Sequence, residues 1–229
     1  MLPDPASAIR LSVLVGLAST ALALPAAVAC GHALARGRWR GRSALSTALL
    51  APLVLPPVVT GLLLLRALGR SSPLGAALEA VGWPVPFSLT GAVVAALVVG
   101  FPLYVMAIRG AFEAIDARLE EVSWTLGVPP RRTWWRITLP LALPGIAAGV
   151  VLAFARGLGE FGATAVLAGN MEGRTRTIAL AVYTLMETPD GEGGLRTLLA
   201  ASLGLSALAL VGYEALNRWQ RRRLEIDGG

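Results

Sequence analysis

Apolar residues run along this chain in five long blocks, at 11–34, 44–65, 89–108, 139–155 with an extension, and 195–216, separated by shorter polar stretches rich in arginine. Each block approaches the ~20 residues that a helix needs to cross a bilayer. The pattern therefore predicts an all-α integral membrane protein with five transmembrane helices. A sixth apolar stretch, TIALAVYTLM at 177–186, is too short to span. It is expected to lie in the outer interface or to re-enter from it, and counting it would make six. Neither a long linker nor a low-complexity tract interrupts the series, so 1–229 reads as a single transmembrane domain. The first block could be mistaken for a signal peptide ending near AAVAC, with Cys30 as a lipid site. A signal has a basic start and a compact apolar core; here Asp4 precedes Arg10 and the apolar run is span-length, which favours a span.

Several blocks carry helix breakers. LAPLVLPPVVTG contains Pro52, Pro56 and Pro57, and LPLALPG contains Pro140 and Pro144. A proline removes one helix hydrogen bond, and in lipid the freed carbonyl needs another partner. Such backbone is tolerated where it is packed in protein or lines a watery path, so these prolines mark either plain kinks or a pathway. GIAAG, at 145–149, is a GxxxG pattern that permits close helix approach, within the chain or between copies.

Composition agrees with the pattern. The chain is 55% apolar and 15% charged, with a mean hydropathy of +0.66, whereas a soluble domain has about a quarter of its residues charged. All twenty basic residues are arginine and lysine is absent. A Walker A loop requires its phosphate-binding lysine, so no standard ATP-hydrolysing P-loop is present. The net charge of +6 could suggest nucleic acid, but the arginines flank apolar blocks, as positive charge flanks membrane spans. Four lie in RGRWRGR (36–42), five between 109 and 136, and four in NRWQRRR (217–223), thirteen of the twenty on alternate loops. Placing those loops inside puts the N-terminus outside and the C-terminus in the cytoplasm. Cys30 and His32 are the only residues of their types, which excludes an internal disulfide and a Cys/His zinc set.

The stretch ARGLGEFGAT (155–164) contains Gly157, Gly159 and Gly162 in GxGxxG spacing. That fingerprint has meaning when a strand leads in and an acidic residue follows about 20 residues later. The lead-in here is GIAAGVVLAFA, which is part of a span, so the glycines do not read as a nucleotide cradle. On a continuous helix, Gly145, Gly149, Arg156, Glu160 and Thr164 would share one stripe roughly 100° wide. Arg156 and Glu160 are four residues apart and can pair on that face. An ionised group at the bilayer centre costs about 2.5–3.5 kcal/mol on insertion scales. The pair is therefore expected to face protein, a watery path or the outer interface, as a structural pair or as a gate.

The polar loop 113–140, EAIDARLEEVSWTLGVPPRRTWWRITLP, is too polar to span and too long for an idle connection. A helical stretch through Glu120, Glu121 and Leu126 is expected to end at Gly127, with Pro129 and Pro130 beyond it. RRTWWR follows, with Arg131, Arg132 and Arg136 around Trp134 and Trp135. That composition suits an interfacial belt equally with a protein-docking surface.

Glu121, then Gly127, then Ile137-Thr138-Leu139-Pro140 matches the pattern E-A-A, three residues, G, nine residues, I-x-L-P, the signature loop of ABC importer permeases. The departures are Val122 and Ser123 where the family has two alanines. The resemblance extends over PLVLPPVVTG, FPLYVMAIRGAFE, LPLALPGIAAGVVLAFARGLGEFGAT and GRTRTIALAVYTLMETPDGE, and the chain resembles the permease subunits of bacterial molybdate importers. The resemblance implies the type I ABC importer permease fold and a homodimeric channel in the bacterial inner membrane. It implies two copies of a separate ATPase, which bind and hydrolyse the ATP, and an extracytoplasmic oxyanion-binding protein; this chain would hold no cofactor and no metal. It also implies that Glu121, Gly127, Arg131, Arg132, Trp134, Ile137 and Pro140 belong to an ATPase-coupling loop. Pro56, Pro57, Arg156, Glu160 and Thr164 are the candidate pathway or gate residues. Sulfate and thiosulfate permeases share much of this pattern, and tungstate has nearly the size and charge of molybdate, so the oxyanion stays open. A membrane enzyme acting on lipid or phosphate groups would need a convergent set of nucleophile, base or metal ligands, and none is visible. A purely structural scaffold would not need a docking signature.

Overall fold

The structure is a computed structural model that describes residues 4–37, 39–189 and 191–227, with side chains through Trp219. Arg38 and the side chains of Arg221, Arg222 and Arg223, which contribute to the charge asymmetry, lie outside the described residues. All regular structure among the described residues is helical. Asp4 caps α1 (Pro5–Arg36) by accepting from the backbone N–H groups of Ala6 and Ser7. α2 (Arg42–Val54), α3 (Pro57–Leu68) and α4 (Pro73–Ala80) follow, then α5 (Leu89–Glu113), capped by Ser88. The polar loop folds into α6 (Ala117–Thr125), α7 (Pro130–Thr133) and a π turn (Trp134–Thr138). It leads into α8 (Leu139–Leu158), α9 (Gly162–Leu167), α10 (Ile178–Met186) and α11 (Glu192–Asp227).

Four helical stretches are long and apolar enough to span: α1, α5, α7 through α8, and α11 up to Trp219. The block at 44–65 does not form one straight helix. It breaks at Leu55 and Pro56, and α2 and α3 meet at 110°. Pro57 lacks a backbone N–H and tolerates the first position of a helix but not its interior, so the Pro56–Pro57 pair stops α2 and starts α3. Pro52, by contrast, stays inside α2. The short block at 177–186 forms the nine-residue α10, ~14 Å long at helical rise and well short of a span.

The π turn has a local cause. Pro140 has no N–H to offer, and its ring would crowd the carbonyl four residues earlier. The helix widens just before it, so that the Leu139 N–H reaches back to the Trp134 carbonyl. Pro144 lies one turn further on, inside α8.

The core lies where α1, α5 and α8 meet. Ala23, Ala27 and Leu34 of α1 pack against Tyr104, Val105, Ile108 and Phe112 of α5 and against Ala142, Ile146 and Ala153 of α8. Small residues set the spacing. A Cβ on Gly149 would lie 3.3 Å from Ile108 Cγ1 and 3.4 Å from Ala107 Cβ, so the second glycine of GIAAG serves packing within the chain. α2 buries none of its residues, and α11 leaves Leu203, Leu208, Leu210 and Val211 exposed. Those apolar faces suit lipid or another chain rather than water.

Candidate functional site

Two regions carry the candidate residues. The first is the polar loop. Asp116 caps α6 by accepting from the Arg118 N–H. At the other end the Gly127 N–H donates to Trp124 O (3.0 Å) and the Val128 N–H to Ser123 O (3.1 Å). This is a Schellman motif, with Gly127 at φ +79° in the left-handed region that favours glycine. Its expected role as a helix stop is met.

α6 is amphipathic in the reverse sense. Glu120 and Ser123, three residues apart and hence on one face, are buried, while Leu119, Val122, Trp124 and Leu126 are exposed. Leu126 is 77% exposed and Val122 56%. Trp135 adds a further exposed ring at 59%. Glu121, Arg131, Arg132 and Arg136 are also exposed around this apolar patch. Trp134 turns inward instead and stands edge-on to His32, with ring centroids 6.2 Å apart. Ile137 and Pro140 are half-buried where the π turn passes into α8.

The inner face of the loop is a polar network that sequence reasoning missed. Ser123 and Thr133 share a buried hydroxyl hydrogen bond of 2.9 Å, holding α6 on α7. Thr138 donates to the Glu120 carboxylate at 2.9 Å. Arg36, in the last turn of α1, places Nε 3.3 Å from the same Glu120 oxygen. That contact is an ion pair without hydrogen-bond geometry; the guanidinium's hydrogen bond runs from its NH2 group to Ile115 O at 2.8 Å. The available signal was the placement of Glu120 and Ser123 opposite the apolar positions of α6. The family pattern draws attention to Glu121 and passes over its neighbour.

The second region surrounds ARGLGEFGAT. Here the structure corrects the expectation of one continuous helix. α8 ends at Leu158, residues 160 and 161 are not helical, and α9 starts at Gly162. Thr164 therefore belongs to a separate short helix and not to a stripe shared with Gly145 and Gly149. Arg156 and Glu160 do meet, with an Arg156 guanidinium nitrogen 3.0 Å from one Glu160 carboxylate oxygen. The other oxygen accepts from the Ala163 N–H at 3.0 Å, so the break is filled by the carboxylate itself. The Glu160 side chain is 2% exposed and that of Arg156 29%. The carboxylate is thus enclosed by protein, while the guanidinium keeps a partly exposed edge.

The three glycines divide the work. A Cβ on Gly157 would lie 3.5 Å from Gly16 Cα and Ser19 Oγ of α1, while Gly159 caps α8 in looser surroundings. A Cβ on Gly162 would stand 3.1 Å from Pro57 Cβ and from Val58. The break at Pro56–Pro57 thus packs against the start of α9, which follows the break at Glu160–Phe161, and Arg156 joins that break through its pair with Glu160. The hydroxyls of Thr60 and Thr164 are buried there without a hydrogen-bond partner.

The profile of a family described as binding-protein-dependent transport system inner membrane component matches residues 23–225. The chain is 45% identical over 225 residues to the molybdenum transport system permease protein ModB of Escherichia coli (strain K12), covering 97% of this chain and 98% of that one. It is 44% identical over 214 residues to the protein of the same name from Mycobacterium tuberculosis (strain ATCC 25618 / H37Rv), covering 93% and 80%. It is 37% identical to a probable molybdenum ABC transporter permease protein of Haloferax volcanii, covering 91% and 75%. Among solved structures, the inward-facing MetNI methionine ABC transporter superposes with a TM-score of 0.67 at 17% identity, covering 95% of this chain and 93% of that one. A bacterial ABC transporter that imports alginate gives 0.63 at 18% identity, covering 94% and 78%. The fold is that of type I ABC importer permeases. The chain belongs to the family of binding-protein-dependent transport system inner membrane components, and is a multi-pass inner-membrane transport permease.

Proposed function

We propose that two copies of this chain form the channel of an ABC importer that carries molybdate into the cytoplasm. The observation carrying this reading is identity of 44–45% to molybdenum transport permeases along nearly the whole length. Tungstate, with the same tetrahedral shape and charge, travels the same path. Two ATPase subunits supply the energy, because this chain has no lysine for a Walker A loop. An extracytoplasmic oxyanion-binding protein delivers the substrate. The N-terminus is outside and the C-terminus inside, following the arginine-rich loops.

The loop from Glu113 to Pro140 docks the ATPase. The reverse amphipathy of α6 supports this, since Leu119, Val122, Trp124 and Leu126 are exposed although the buried face offers Glu120 and Ser123. Exposed apolar residues rimmed by charge mark a partner surface. Glu121, Arg131 and Arg132 form the charged rim, Gly127 sets the turn, and Trp134, Ile137 and Pro140 join the surface to α8. Pro56, Pro57, Arg156, Glu160 and Thr164 form the gate, where two broken helices rest on each other. Glu160 shapes the gate rather than ligating a dianion, which it would repel.

Proteoliposomes holding the chain, its ATPase and its binding protein test this reading. ATP-dependent uptake of labelled molybdate is expected, blocked by excess tungstate and little affected by excess sulfate. Uptake of sulfate in preference to molybdate would replace the substrate assignment.

A further inference from the structure

The buried network behind the loop links α1 to it, although α1 is remote in sequence. Arg36 reaches three elements at once. It pairs with Glu120 of α6 at 3.3 Å and donates to Ile115 O, just past the end of α5, at 2.8 Å. Through Glu120 it touches Thr138 of the π turn, whose hydroxyl donates to the carboxylate at 2.9 Å. The Arg36 and Glu120 side chains are 19% and 11% exposed. In such surroundings one partner cannot move away without leaving an uncompensated charge behind. His32, one turn before Arg36, adds edge-on contacts to Phe112 and Trp134.

The first half of α1 meets the second region. A Cβ on Gly16 would lie 2.9 Å from the Phe154 ring, and Gly157 approaches Gly16 and Ser19 closely. These contacts adjoin Arg156, which pairs with Glu160. From Gly16 to Arg36 is ~30 Å at helical rise, and α1 stays helical throughout, Pro25 included.

We propose that Arg36, Glu120 and Thr138 form a latch fixing the coupling loop to α1. A displacement imposed on the loop is then carried along α1 to the Arg156–Glu160 break, in parallel with the direct route through α8. Arg36 and Glu120 are positioning residues; they contact neither substrate nor nucleotide. The inference rests on the reading of the loop as the ATPase dock.

The test uses the complete transporter in proteoliposomes and reads molybdate taken up per ATP hydrolysed. Glu120→Gln keeps the shape of the side chain and removes its charge. It is expected to assemble with the ATPase and hydrolyse ATP near the wild-type rate, while uptake per ATP falls about tenfold, a fold-change typical of coupling between sites. A second variant, Arg36→Cys/Glu120→Cys in a Cys30→Ser background, replaces the ion pair by a short bis-methanethiosulfonate bridge. Bridging is expected to restore uptake per ATP, and reducing the bridge to abolish it again. Wild-type uptake per ATP in Glu120→Gln overturns the latch, and so does failure of the bridge to restore uptake per ATP in the double-cysteine variant. If Glu120→Gln does not assemble, the bridged variant alone decides. Failure of the underlying dock gives a different result: Gly127→Val and Glu121→Ala would then both transport normally.

Discussion

Gly162 and Pro57 stand so close that a single added carbon on Gly162 would lie 3.1 Å from the Pro57 Cβ. Each residue is the first of its helix, α9 and α3 respectively. Two interruptions far apart in sequence are thereby pressed together, one made by a proline pair and the other by a carboxylate that accepts the Ala163 N–H. Thr60 and Thr164 bury unpartnered hydroxyls at this junction, and neighbouring Arg156 and Glu160 bring to it an ion pair whose carboxylate is buried.

Gly162→Val should force α3 and α9 apart. Overpacking a tight contact costs about 1–3 kcal/mol, so the purified transporter should unfold at a lower temperature and lose uptake. Gly159→Ala is the control, since the nearest atom to its added carbon is 3.9 Å away. Thermal unfolding of the two variants side by side checks the difference; equal stability would remove Gly162 from the packing argument.

Gly127→Val places a β-branched residue at φ +79°. No atom lies within 4 Å of the added Cβ, so the penalty is conformational, about 1–2 kcal/mol. The variant should insert in the membrane normally but lose uptake-coupled ATP hydrolysis, and Glu121→Ala should weaken ATPase docking. Gly127→Asn should be milder, because asparagine tolerates the left-handed region. Normal uptake by both Gly127→Val and Glu121→Ala in vesicles would exclude the loop from coupling.

Arg156 and Glu160 should respond unequally. Arg156→Ala leaves a carboxylate that is 2% exposed without its cation, a loss of about 3 kcal/mol for a buried pair broken on one side. Glu160→Gln retains an oxygen that can accept from the Ala163 N–H, and leaves a cation with more access to water. It should preserve dimer assembly and alter uptake and its coupling to ATP hydrolysis. Comparing the thermal stability and uptake of the two variants separates a gate from a purely structural pair. Unchanged uptake and coupling in Glu160→Gln would assign the pair to structure alone.

Assembly offers a further check. Purified without partners, the chain should hydrolyse no ATP, and co-expressed with its ATPase it should elute as two copies of each. The mass of the detergent complex, corrected for bound detergent, measures this directly. A stable, transport-active single copy would contradict the dimeric channel.

The sequence by itself determined the membrane class, because apolar blocks of span length with arginine between them admit few alternatives. It also determined the end of α6, since local hydrogen bonding around a single glycine defines a Schellman stop. The spacing from Glu121 to Pro140 was likewise legible as a linear pattern. Tertiary structure decided what no local rule encodes. Periodicity carries Arg156, Glu160 and Thr164 along one helix, yet the chain breaks at 160–161, where the Glu160 carboxylate accepts a backbone N–H and α9 packs on α3. A proline pair announces an interruption but not the 110° angle between α2 and α3, which depends on the neighbours that α3 meets. Arg36 counted in the sequence only as one positive charge on an inner loop; its pairing with Glu120, across 84 positions of chain, arises where the ends of α1 and α5 meet α6. Hydropathy and helix period act over one or two turns, whereas desolvation of a charge is settled by whichever distant groups the packed helices bring to it.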